Sequence, residues 1–185
     1  MKRITVVLSV CCILSFLLLS GCSNTECLNM EQEIRDITHS AAYSAEVWNN
    51  LGIRERWDLL VSYEREVEKA MDLEPVYVVP ILDNSCTYGA YSHSERTIYL
   101  SEMLLLHRDS ALDTVRHELR HYYQNLLCDE LRSHAIGTGN IAGVDLKIII
   151  IWNEDREKEI SYSGGPEFFT QPLEADAYAW EDLTG

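Results

Sequence analysis

Between Asp109 and Leu127 the chain runs nineteen residues without a glycine or a proline, and this stretch holds His117-Glu118-Leu119-Arg120-His121. Such a run is long enough for one helix. Its apolar residues Leu112, Val115, Leu119, Tyr122 and Leu126 recur at steps of three and four. Thr114, His117, Glu118, His121 and Asn125 fall on the opposite side. Ser110 followed by Asp113 has the pattern of a capping box, and Asp109 is a second candidate cap. One side is therefore expected to pack into a core. The other presents two imidazoles and a carboxylate, where a merely solvated side would more often carry paired Lys and Glu.

Two histidines four apart project from one face of a helix, so a ring nitrogen of each can reach a single metal ion. Glu118 is close enough to accept a proton from water held on that metal. A tetrahedral catalytic zinc takes three protein ligands and keeps one position open. A third histidine six residues after the second is excluded, because positions 122–127 read Tyr-Tyr-Gln-Asn-Leu-Leu. The remaining pattern draws a glutamate from a later helix, and Gln171 to Trp180 suits it. Pro172 fits a first helical turn, and alanines at 175, 177 and 179 allow close packing. Glu174 is the expected ligand; its competing role is an acid favoured by the helix dipole. Asp176 is the fallback. On a regular helix it points about 200° away from Glu174, so it would rather hold a ligand histidine by its other ring nitrogen. His93, His107 and His134 are further fallback ligands.

The start of the chain carries a different signal. Lys2 and Arg3 precede an apolar run from Val6 to Leu19, and Leu19-Ser20-Gly21-Cys22 matches the lipobox of bacterial lipoproteins. Residues 1–21 are expected to be a removed signal peptide, with Cys22 lipidated and 22–27 a tether; an uncleaved anchor is the competing reading. Either way the rest lies outside the cytoplasm at the cell membrane or outer membrane. Residues 28–185 suffice for a single domain with its own core. Without the leader the formal charge moves from −15 to −17, with 13 basic residues against 30 acids. So acidic a chain offers no basic patch for nucleic acid.

Four of the six cysteines remain after the leader, and Cys22 is committed to lipid. Cys86–Cys128 is a candidate disulfide, which an exported domain permits; no Cys-x-x-Cys pair suggests a thiolate zinc site.

Elsewhere Leu28 to about Asn49 is expected to be helical. Ile53 to about Asp72 reads as a second helix, with Trp57, Leu60, Val61, Tyr63 and Val67 facing the core. Val76–Leu82 reads as an edge strand, because Pro75 and Pro80 flank or interrupt it. Thr87 to Leu100 reads as a strand or hairpin, and Val144 to Trp152 as strand or helix. Helices, a small sheet, the histidine helix and a final helix make an α+β fold.

Three segments together resemble the gluzincin branch of the zincin metallopeptidases, and more narrowly the compact bacterial peptidases of the IrrE/ImmA type. They are Gly89-Ala90-Tyr91 leading to Arg96-Thr97-Ile98-Tyr99-Leu100, then Thr114 to Gln124, and Pro172-Leu173-Glu174-Ala175-Asp176-Ala177. The resemblance covers roughly residues 76–182 and includes the order strand, strand, metal helix, glutamate helix. It implies a zincin-like small mixed sheet packed on the active-site helix. It also implies an open edge strand for an extended peptide at about Arg96, Thr97, Ile98 and Tyr99. IrrE-like proteins are typically cytoplasmic, whereas this chain carries an export signal.

The expected chemistry is peptide hydrolysis by zinc on His117, His121 and Glu174, with Glu118 as general base. His134 and Tyr162 are candidate donors to the oxyanion. Arg116 and Arg120 are expected to pair with nearby acids. Two other readings stay open: a catalytically silent surface lipoprotein acting as a binding module, and a zinc amidase acting on cell-wall material.

Overall fold

The computed structural model describes residues 25–81, 88–133, 140–157 and 168–181. The expected leader, Cys22, Cys86, His134 and Tyr162 lie outside these residues. Among the described residues no helix is long and apolar enough to cross a membrane.

The first expected helix is broken. Helix α1 (Thr25–Thr38) takes in the end of the expected tether; a short 3-10 turn (Ala41–Tyr43) follows, then α2 (Ala45–Asn50). The break is capped. Ser44 is extended, and its hydroxyl accepts the Val47 N–H at 3.3 Å, which starts a new helix. Helix α3 (Ile53–Ala70) begins where Glu55 reaches back to the Gly52 N–H at 2.7 Å. It buries Leu60, Tyr63 and Val67 as expected, and also two acids, Glu64 and Glu68.

Three strands follow: β1 (Tyr77–Ile81), β2 (Gly89–Ser92) and β3 (Thr97–Ser101). The sheet order is β1-β3-β2, with β1 parallel and β2 antiparallel to β3. Pro80 thus sits in an edge strand, where its missing N–H is tolerated. The expectation of an open edge at Arg96, Thr97, Ile98 and Tyr99 is corrected here. β3 is the central strand, hydrogen-bonded on both sides, and Ile98 is fully buried. Arg96 is a turn residue at φ 49°, and its guanidinium donates to the Tyr122 hydroxyl at 3.0 Å. Among the described residues the outer strands of the sheet are β1 and β2.

After a second 3-10 turn (Glu102–Leu106) comes α4 (Arg108–Ser133). It begins two residues before Ser110, so Asp109 lies in the first turn and the Ser110 capping box is not used. The expected stripe holds at Leu112, Val115, Leu119 and Tyr122, but Leu126 is exposed and Leu127 is buried instead. The side expected to be open is buried too: Thr114, His117 and Glu118 are shielded. The reason is position. α3, β2, α5 and α6 all pack against α4, which makes it the central element of the molecule.

A two-stranded ribbon, β4 (Asn140–Ile141) with β5 (Val144–Asp145), turns through Gly143 at φ 81°. The apolar run beyond it is helix α5 (Leu146–Glu157), not strand. Asp145 accepts the Lys147 N–H at 2.8 Å, and Ile149, Trp152 and Asp155 are buried at helical spacing while Ile150 and Ile151 face out. A third 3-10 turn (Phe168–Thr170) leads to α6 (Pro172–Glu181), with Pro172 in the first turn as expected. The α5 carboxylate of Asp155 accepts the Leu173 N–H at 3.1 Å and fixes where α6 starts. Cys128 is a buried thiol near the Ile149 carbonyl, and burial pushes it up to about 11; its candidate partner Cys86 lies outside the described residues.

Candidate metal centre

α4 and α6 bring His117, His121 and Glu174 together. The two Nε2 atoms are 3.1 Å apart; His117 Nε2 lies 3.4 Å from Glu174 Oε2, and His121 Nε2 lies 3.3 Å from Oε1. Donors on a tetrahedral metal with bonds of about 2.0–2.1 Å stand roughly 3.3 Å apart. The two ring nitrogens stand at about that spacing, and each lies near it from a different oxygen of Glu174, so one carboxylate faces both imidazoles; one ligand atom from each residue lies within 4.8 Å of the others. The group can hold a metal ion.

The charges lead to the same point. Burial pushes the Glu174 carboxyl up, but the two imidazoles outweigh it and hold the group at about 2. Burial pulls the His117 imidazole down, but Glu174, Glu181 and Glu118 raise it to about 10. A buried carboxylate between two imidazoles thus calls for a cation.

Glu118 is buried. Burial raises its carboxyl above the usual range, against the pull of His121, His117 and the Tyr91 backbone N–H that bonds it. That N–H comes from β2. Tyr88 O accepts the Ser101 N–H at 2.8 Å, so residues 88, 90 and 92 turn their backbone groups to β3. Gly89 and Tyr91 turn theirs away from β3, along the outer edge of the described sheet. Gly89 also packs on the helix: a Cβ there would stand 2.6 Å from Thr114 Cγ2 and 2.8 Å from Glu118 Oε1.

Behind the donors lie residues that sequence reasoning missed. Glu181 Oε2 stands 3.5 Å from His117 Nδ1, and the Tyr178 ring meets His117 edge-on at 4.6 Å. Glu174 and Glu181 are seven apart, two helical turns, and that spacing was the available signal. Gln124 Oε1 lies 2.9 Å from His121 Nδ1.

Asp176 is no ligand. It accepts Arg120 Nε at 2.6 Å and Nη2 at 3.2 Å, and it reaches His121 only through Gln124. Arg120 is nearly inaccessible, with Trp180, Tyr123 and Trp152 rings at 4.3, 5.0 and 5.3 Å. Arg116 pairs with Asp113 and donates to the Tyr63 hydroxyl at 2.7 Å. Both arginines thus take the structural roles expected of them. Of the fallback ligands, His93 bonds Asp129 at 2.7 Å and His107 is exposed beside the start of α4.

No family model, curated protein or solved structure matches this chain.

Proposed function

We propose that this chain is a zinc-dependent peptidase of the zincin type, exported and held at a membrane surface by lipid on Cys22. One observation carries the reading: the Nε2 atoms of His117 and His121 lie 3.1 Å apart, and each faces one oxygen of the Glu174 carboxylate at 3.3–3.4 Å, beside a buried Glu118. Two imidazoles and a carboxylate are a donor set suited to catalytic zinc. Zinc bound there would polarise a scissile carbonyl and acidify a water molecule.

The rest falls to the chain's own residues. Glu118 takes a proton from water and passes it to the leaving amine. Burial raises its pKa towards the working range of such a base, and the Tyr91 N–H keeps the carboxylate aimed. An extended peptide would pair with the outer edge of β2 through Gly89 and the Tyr91 carbonyl. β2 takes the place first expected of the 96–99 segment. The lipobox at Leu19-Ser20-Gly21-Cys22 supports the export and anchoring.

Zinc content and cleavage of a peptide library, measured on wild type and Glu118→Gln, test the reading. Stoichiometric zinc in both and cleavage by wild type alone is the expected result. Zinc without cleavage of any peptide would favour a binding module. Hydrolysis confined to cell-wall amides would favour the amidase.

A further inference from the structure

Gln124 is fully buried one turn beyond His121, and its amide can lie only one way. Its Nε2 donates to the Leu173 carbonyl at 3.0 Å and to Asp176 Oδ2 at 2.7 Å. Both partners are acceptors. Turning the amide over would set its oxygen against two oxygens and lose both bonds. Asp176 in turn cannot move away, because Arg120 holds both its oxygens from within a cage of three aromatic rings. Oε1 is therefore the atom that faces His121 Nδ1, at 2.9 Å. An oxygen can only accept, so Nδ1 must carry the hydrogen.

We propose that Gln124 is a positioning residue that fixes His121 as the Nδ1–H form, leaving Nε2 unprotonated towards His117 and Glu174. The inference rests on reading those three residues as metal ligands. Its physical content is pre-organisation: a ligand nitrogen must present a lone pair, and the hydrogen bond at the other nitrogen decides which one does. A neutral imidazole free in water favours the opposite form, with hydrogen on Nε2. The Arg120–Asp176–Gln124 chain reverses that preference at a site where the wrong form would point N–H at the metal. It also ties α4 to α6, so the element that brings Glu174 and the one that orients His121 are held by the same bonds.

Ring-nitrogen NMR of the 15N-histidine-labelled, metal-free full chain tests this, read at a pH where His121 is neutral. Hydrogen on Nδ1 is expected in wild type, with a shift towards Nε2–H in Gln124→Met. Zinc affinity, measured by competition with a chromophoric chelator, should fall about 10–100-fold in Gln124→Met. Gln124→Glu keeps an acceptor for Nδ1 but turns a carboxylate on Leu173 O and Asp176. It should retain most of the zinc affinity while its metal-free form unfolds at lower temperature. Nε2–H in wild type would overturn the proposal, as would affinity losses in both variants that merely follow their losses of stability. The nitrogen spectrum needs no zinc. Failure of wild type to bind zinc would overturn the metal reading, and the tautomer would still be decided by the spectrum.

Discussion

Gly89 and Glu118 stand so close that a methyl group on Gly89 would come within 2.8 Å of the Glu118 Oε1 atom. The missing side chain lets β2 lie on α4 and bring the Tyr91 N–H to the same carboxylate. Gly89→Ala must therefore displace Glu118 or Thr114. A displacement of about 1 Å at a catalytic group lowers rate roughly 100-fold. Steady-state kinetics should show that loss in kcat with a much smaller change in thermal stability. Unchanged kcat would contradict the placement of Glu118 against β2.

The ion pair of Arg120 and Asp176 should be costly to break. Both side chains are almost inaccessible, and removal of one partner leaves a buried charge uncompensated, which costs about 3–5 kcal/mol. Denaturant unfolding of Asp176→Ala should show a loss of that order. A loss below about 1 kcal/mol, the size of an exposed pair, would contradict it.

Glu64 gives the fold a pH dependence far from the metal donors. It is buried on α3 beside Glu68, with which it can share a proton, and half-exposed Arg65 stands 3.6 Å away. Burial, reinforced by Glu68, raises its carboxyl to about 9. The folded state thus keeps a proton that the unfolded chain releases near 4.5. Stability from this group is complete below about 4.5 and declines as pH rises towards 9. Glu64→Gln should flatten that decline and be more stable than wild type at the alkaline end. A variant with the same pH slope as wild type would contradict the assignment.

What the sequence made legible follows from how local each signal is. The helix carrying His117 and His121 shows in its spacing, and Pro172 marks the start of the helix that carries Glu174. The break near Ser44 was missed because a capping serine inside an apolar-periodic stretch differs little from an exposed one. The 96–99 segment was read as an edge because strand order depends on which strands pair, and periodicity carries no such information. The same holds for Gln124 and Glu181. Each lies at helical spacing from a donor, yet only the packing of α6 on α4 gives it a partner. Asp176 shows the converse: an acid next to the right glutamate served Arg120, whose burial the pattern of α4 did not reveal.

The central claim is that His117, His121 and Glu174 share one metal ion. Calorimetric titration of the metal-free chain with zinc tests it most directly, with His121→Ala and Glu174→Ala beside wild type. One equivalent bound tightly by wild type, and much weaker binding by each variant, is the predicted result. A wild-type chain that binds no zinc, or a Glu174→Ala variant that binds it as tightly as wild type, would contradict the account.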